Sequence, residues 1–389
     1  MKKKMNYILL LGIILVATNL RAPITSVGPL IGIIAEDLQL SGAQSGLITT
    51  IPLLSFAIIS PLAPKLAKKF GIERTILMSL LVLIAGFGVR LIPNIWMLFL
   101  GTMILGCAIA ICNVLIPGLV KKEFSNRSGL VTGFYSVSMN LTGAIASGIS
   151  IPLIQKFGLN WNIALSIWGL LALIALIGWL PQLKEKHILT PSNSAQKETS
   201  LWQSPLAWSV TFFMGIQSFI FYVLVAWLPE MLMSQGVANS KAGGMLSLLQ
   251  LTLLPITFII PIVAEKTKNQ KSLVFLSFLL FSLGISGLMT SHMIIITLSI
   301  MSIGVAGGIA FSLSMMFFNL RTTTPKEAAE LSGMAQSVGY LLAAVGPFLF
   351  GLLHDQTNSW NTSLFLLLGI TVVLLFVGLK AGSNQKVNQ

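Results

Sequence analysis

Residues 95–119 read IWMLFLGTMILGCAIAICNVLIPGL (Ile95–Leu119) and contain no charged side chain. At 1.5 Å of rise per residue this helix would be about 37 Å long, more than the roughly 30 Å hydrocarbon core of a bilayer. The run is continuous and does not alternate, which selects a membrane helix over a barrel strand. Five similar runs accompany it in the first half: Tyr7–Ile33, Ser45–Ala63, Thr75–Leu91, Gly129–Leu153 and Trp161–Leu180. Six follow in the second half: Leu206–Leu228, Ala242–Val263, Leu273–Met289, Ile294–Phe318, Leu331–Leu353 and Asn361–Leu379. The expected fold is therefore an all-α membrane protein with twelve transmembrane helices. The chain of 389 residues is 55% hydrophobic and 9% charged, against about 25% charged in soluble proteins, and no large soluble domain is left over.

The +13 formal charge of a soluble protein would suggest nucleic acid. In a membrane protein it is a topology signal, because Lys and Arg concentrate on the cytoplasmic side. Counted on alternate sides of the runs, Lys2, Lys3, Lys4, Lys65, Lys68, Lys69, Arg74, Lys121, Lys122, Arg127, Lys184, Lys186, Lys197, Lys266, Lys268, Lys271, Arg321, Lys326, Lys380 and Lys386 fall on one side. Only Lys156 and Lys241 fall on the other, so both termini are expected in the cytoplasm, with membrane lipid as a partner and nucleic acid excluded. Arg90 falls at an outer helix end and Arg21 inside the first run. The first run has the basic flank of a signal peptide but no small-x-small cleavage site after it, and reads as an uncleaved helix.

Residues 181–204 are polar and aperiodic, which predicts a cytoplasmic linker between an N-terminal six-helix bundle at 1–180 and a C-terminal one at 205–389. The halves echo each other. PKLAKK at Pro64 matches PIVAEK at Pro261 at an offset of 197, Gly106 matches Gly304 at 198, and Trp161-Asn162 matches Trp360-Asn361 at 199. Six helices per half preserve orientation, so the expected arrangement is a parallel repeat, as in transporters that rock two halves around a central site.

At these residues the chain resembles the major facilitator superfamily. PKLAKKFGIER (Pro64–Arg74), read as the loop between the second and third runs, is similar to that superfamily's G-x-L-A-D-R-x-G-R-R-R element, with Pro64 at the first Gly, Lys68 at the acidic position and Ile72 at an Arg. Glu265 keeps the acid in the second half. Within the superfamily, NLRAPITSVGP (Asn19–Pro29), NVLIP (Asn113–Pro117) and QSFIFYVLVAWLP (Gln217–Pro229) resemble the branch of cyanate and 2-nitroimidazole transporters. The resemblance implies transport of a small-molecule substrate by alternating access.

Arg21 lies about 15 residues into the first run, near the bilayer midplane, where a charge costs roughly 2.5–3.5 kcal/mol on insertion scales. A guanidinium offers a fork of donors to a planar anion or nitro group. At the 197 offset Arg21 falls on Ser218, so a single charge, suited to a monoanion or a polar neutral solute, is expected. An unbroken helix would put Thr18, Thr25 and Gly28 on the face of Arg21, with Asn19 about 200° away, either at the site's edge or bonded to a neighbouring helix. Gln217, Tyr222 and Trp227 are candidates on the seventh run, with Trp227 equally placed to act as an interfacial anchor. Asn113, Asn140, Gln250, Gln336 and Tyr340 are further mid-membrane candidates that could instead bond between helices.

All eleven acidic residues, and His187, His292 and His354, fall in loops or at helix ends. The usual titrating relay is therefore not expected, and proton coupling would run through substrate or a helix-end acid such as Glu230. No catalytic set, metal site or cofactor is expected. Cys107 and Cys112 stand about 140° apart on one helix, which suits neither a disulfide nor a metal. No Walker-type G-x-x-x-x-G-K-[ST] loop occurs. A two-half carrier works alone, so a monomer is expected, and an enzyme or flippase is disfavoured.

Overall fold

The computed structural model describes residues 6–40, 42–184 and 201–387. Among the described residues every regular element is helical: α1 (Tyr7–Ala17), α2 (Ala22–Thr25), α3 (Ile31–Leu38), α4 (Gly42–Ile59), α5 (Ala63–Phe70), α6 (Ile72–Arg90), α7 (Ile95–Glu123), α8 (Ser128–Gln155), α9 (Trp161–Ser166), α10 (Gly169–Trp179), α11 (Pro205–Ser234), α12 (Asn239–Lys266), α13 (Lys271–Gly287), α14 (Met293–Leu320), α15 (Pro325–Thr357) and α16 (Trp360–Ala381). Eleven stretches are long and apolar enough to cross a membrane. The expected ninth span is α13, whose 17 residues sit at the short end of the crossing range. Lys2, Lys3, Lys4, Glu185, Lys186, His187, Lys197, Glu198 and most of the linker lie outside the described residues.

Two readings need correction. The stretch from Pro64 to Arg74 is no loop: α5 and α6 meet at Gly71, whose φ of 88° and ψ of 154° are open to glycine and strained for other residues. Nor is the first run one helix. Thr18 Oγ1 and Asn19 Nδ2 both donate to the Leu15 carbonyl, at 2.7 and 2.9 Å, so the Asn19 N–H turns to Val16 O and the Leu20 N–H to Ala17 O. These are three-residue bonds that tighten the last turn. Pro23, four residues past Asn19, brings no N–H to restart the ladder. The chain resumes as α2, passes a 3₁₀ turn at Gly28–Leu30 and continues as α3. By contrast Pro52, Pro117, Pro152, Pro229 and Pro347 sit inside continuous helices, a placement tolerated in membrane helices where neighbouring groups resatisfy the backbone.

The chain forms two compact units. The first comprises Met1–Ser125, Phe134–Asn193 and Thr324–Gly333; the second comprises Asn126–Gly133, Ser194–Thr323 and Met334–Gln389. Within the first, α7 lies against α4 at Gly106, where an added Cβ would stand 2.8 Å from Ser55 Cβ and 3.1 Å from Pro52 Cα. Within the second, α14 lies as close to α12 at Gly304, where one would stand 2.6 Å from the Leu249 carbonyl and press on Thr252. Small residues at such crossings let helices gain dispersion contact where no water drives association. Large apolar side chains point outward, Phe348 being 72% and Ile58 68% exposed, as lipid contact requires and aqueous solution penalises.

Candidate functional site

In the first unit the break in the leading helix places Arg21 at the residue before α2, with φ −120° and ψ −37°. Its side chain is half-buried and runs along α8 past Gly143, where an added Cβ would stand 3.0 Å from Arg21 Cβ. Arg21 Nη1 donates to Asn140 Oδ1 at 2.6 Å. Asn140 is buried and fixed in turn, its Nδ2 donating to the Ser136 carbonyl at 2.8 Å. An amide oriented this way orders the guanidinium through a charge-assisted bond without adding a negative charge. Thr25 Oγ1 lies within bonding distance of both the Arg21 carbonyl (3.1 Å) and the Gly143 carbonyl (2.8 Å), and Ser150 Oγ of both the Ser26 carbonyl (3.0 Å) and the Ala146 carbonyl of its own helix (2.6 Å). Side chains of α2 and α8 thus lace the broken segment to its neighbour on the side that carries Arg21.

Asn19 stands apart from this group. It is 1% exposed, and besides Leu15 its Nδ2 reaches the Leu171 carbonyl on α10 at 3.2 Å, so it ties helices together. Asn113 on α7 accepts from the Tyr135 hydroxyl on α8 at 2.7 Å, both residues being buried.

In the second unit, Gln217 on α11 is buried and its Nε2 donates to the adjacent Ser218 Oγ at 2.7 Å. Tyr222 is half-buried and edge-on to Phe221, with ring centroids 5.4 Å apart. Trp227 Nε1 donates to the Pro347 carbonyl on α15 at 2.8 Å, and its ring packs 5.4 Å from Trp360, which also stacks with His354 at 3.8 Å. The indole thus belongs to an aromatic cluster at the ends of α11, α15 and α16. Gln250 is half-buried on α12, Gln336 is buried on α15, and Tyr340, four residues on, is half-buried. Glu265, where the second half keeps an acid, accepts from Ser128 Oγ at 2.9 Å.

The structure therefore brings together Arg21, Thr25 and Asn140 in one unit and holds Asn19 and Asn113 in separate bonds. Sequence reasoning missed Tyr135, Ser150 and the burial of Arg90, which is 1% exposed although it is the last residue of α6. At the edge of a run, Arg90 carries no signal of burial in the sequence. Among the described residues no three His, Cys, Asp or Glu side chains gather as a metal site would require.

Residues 9–347 match the family described as the Major Facilitator Superfamily. An uncharacterised transporter of Bacillus subtilis, YycB, is 42% identical over 100% of this chain and 96% of its own length. The 2-nitroimidazole transporter of Escherichia coli is 39% identical, covering 99% of this chain and 98% of its own. The cyanate transport protein CynX of the same organism is 24% identical, covering 94% and 96%. Among solved structures, the proton:xylose symporter XylE bound to 6-bromo-6-deoxy-D-glucose superposes with a TM-score of 0.74 over 98% of this chain and 96% of that one, at 13% identity, a likeness of fold. The chain is a multi-pass membrane transporter and not an enzyme; it belongs to the Major Facilitator Superfamily, in the branch that holds the cyanate and 2-nitroimidazole transporters.

Proposed function

We propose that this protein is a secondary active or facilitative carrier of a small anionic or nitrogen-rich solute, cyanate-like in size and charge, and that Arg21 is its anion-binding residue. The observation that carries the reading is the half-buried Arg21 guanidinium at a helix break, held from behind by the carbonyl of Asn140. The forked N–H groups of a guanidinium suit a linear or planar monoanion, and a single such group suits it better than a phosphate ester. Discontinuous helices that present such groups near the membrane midplane are a recurrent construction in secondary transporters.

The rest of the scheme follows from the sequence. The bundles at 1–180 and 205–389, joined by the linker at 181–204, alternate access as a monomer in a bacterial plasma membrane, with both termini cytoplasmic. Pro52 and Ser55, against which Gly106 packs, precede Leu249 and Thr252, against which Gly304 packs, by 197 residues; this supports the parallel repeat. Moving a monoanion into a negative interior costs about 2.3 kcal/mol per 100 mV, so uptake proceeds as exchange, down a gradient, or with a proton. The second reading, efflux of 2-nitroimidazole-like compounds with Arg21 on the nitro group, is favoured by the 39% identity to a 2-nitroimidazole transporter.

Counterflow in proteoliposomes separates the two. Cyanate exchange that is abolished in Arg21→Ala, with net cyanate uptake accelerated by an interior-positive potential, supports the anion reading. Exchange of 2-nitroimidazole, indifferent to potential and without cyanate exchange, replaces it with the second.

A further inference from the structure

Arg90, the last residue of α6, is a buried charged group for which the transport reading above has no use. Only 1% exposed, it could cap the end of its own helix, α6, but its donors go elsewhere. Nη1 donates to the Pro23 carbonyl at 2.9 Å, while Nε and Nη2 both reach Thr102 Oγ1 on α7, at 3.2 and 2.8 Å. Thr102 is held in acceptor orientation because its own hydrogen goes to the Leu98 carbonyl at 2.6 Å. Room for the stem is provided at Gly101, where an added Cβ would stand 2.8 Å from Arg90 Cγ.

The Pro23 carbonyl is the informative partner. In a continuous helix it would accept from the Val27 N–H, but that N–H bonds Ile24 O at 3.3 Å. The carbonyl is thus released where the short α2 ends, and in a membrane a released carbonyl needs a new donor. It lies two residues from Arg21. On its other side the same segment is laced to α8 through Thr25 and Ser150, so residues 21–26 are gripped from two neighbouring elements.

We propose that Arg90 is a positioning residue: by holding the Pro23 carbonyl it fixes the short α2 at the register that aims the preceding Arg21 at Asn140. The inference rests on the reading of Arg21 as the anion-binding residue for its functional consequence, but not for its geometry. Lysine at position 90 could reach Pro23 yet could not also fork onto Thr102, which makes Arg90→Lys a graded version of Arg90→Gln.

The test uses the full chain with Cys107→Ala and Cys112→Ala, and Arg21→Cys as the reporter. An anionic methanethiosulfonate labels the new thiol, with Ser138→Cys on α8 as a control. The expected result is a change in labelling rate at position 21 of at least fivefold in Arg90→Gln, and a smaller change in Arg90→Lys, with the control rate kept within twofold. Rates at position 21 within twofold of the parent, or an equal change at the control, would overturn the proposal and leave Arg90 a packing element. If Arg90→Gln does not fold, Arg90→Lys and Thr102→Val decide on the same criteria. With native Arg21, Arg90→Lys should raise about tenfold the cyanate concentration that half-maximally stabilises the protein, and have no effect on the background of Arg21→Ala. A parent protein that cyanate does not stabilise contradicts the anion reading, while the labelling still decides the role of Arg90.

Discussion

The first and seventh membrane segments begin from comparable material, long apolar runs that carry amides, hydroxyls and a proline, yet one is broken and the other continuous. α11 runs unbroken for 30 residues through Gln217 and Ser218 and across Pro229. The first segment stops at Ala17 and resumes at Ala22. Back-bonding by one side chain does not account for this, since Ser209 Oγ donates to the Pro205 carbonyl at 2.8 Å without interrupting α11. The first segment combines what α11 keeps apart: two side chains take the Leu15 carbonyl, and Pro23, without an N–H, follows four positions after Asn19. At the 197-residue offset, Ser218 occupies the place of Arg21 and Ile220 that of Pro23, in an unbroken turn. The break and the charge occur together, and Arg90 bonds the carbonyl freed where the short α2 ends.

The largest effect on this contrast should come from repairing the broken helix. Pro23→Ala combined with Thr18→Val and Asn19→Leu restores the missing N–H and frees the Leu15 carbonyl, making the first segment resemble α11. A proline inside a helix costs about 3 kcal/mol, so the repaired helix gains locally, while Arg21 turns off Asn140. Cyanate counterflow should fall at least tenfold in a protein that still elutes as one peak.

Next in size is Asn140→Asp, which replaces a neutral acceptor by a carboxylate at the 2.6 Å contact. Close opposite charges satisfy each other, and half-maximal stabilisation should require at least tenfold more cyanate. An unchanged cyanate requirement would remove Asn140 from the site.

The converse substitution, Ser218→Arg, places a guanidinium in the continuous helix. Without a break or a partner like Arg90 it should cost roughly 2.5–3.5 kcal/mol, the insertion penalty of a central charge, and confer no added anion-induced stabilisation in thermal melts of Arg21→Ala.

Smaller still are Thr25→Val, which loses the bond to the Gly143 carbonyl, and Trp227→Phe, which loses the bond to Pro347 but keeps the packing on Trp360. Each should lower stability by about 1 kcal/mol, the net worth of one hydrogen bond. Only Thr25→Val should also weaken cyanate binding.

The spans were legible because membrane insertion depends on little more than length and apolarity, both of which are read directly from the residues. The interruptions were less so. Pro23 is visible in the sequence, but Pro52 and Pro117 are equally visible and leave their helices intact; Thr49 and Thr50 even share the Gly46 carbonyl just before Pro52, so side-chain donors and a proline do not by themselves decide where a helix breaks. Gly71 shows the same limit, since a charged, glycine-containing stretch that reads as a loop folds into two helices with a single turning residue. Arg21 stood out as a lone charge inside a run, whereas Arg90, at the edge of one, gave no sign of burial. Its partners Pro23 and Thr102 become neighbours only when three helices pack, a fact that spacing along one helix does not carry. Asn19 likewise reaches Leu171 through packing, 152 positions along the chain.

Thermal melts of the purified protein with and without cyanate, set beside the same melts of Arg21→Ala, test the role of Arg21 as the anion-binding residue most directly. A ligand at 100 times its dissociation constant adds about 2.7 kcal/mol to stability. The predicted result is stabilisation of the native protein by cyanate that vanishes in Arg21→Ala; equal stabilisation of both proteins would contradict the account.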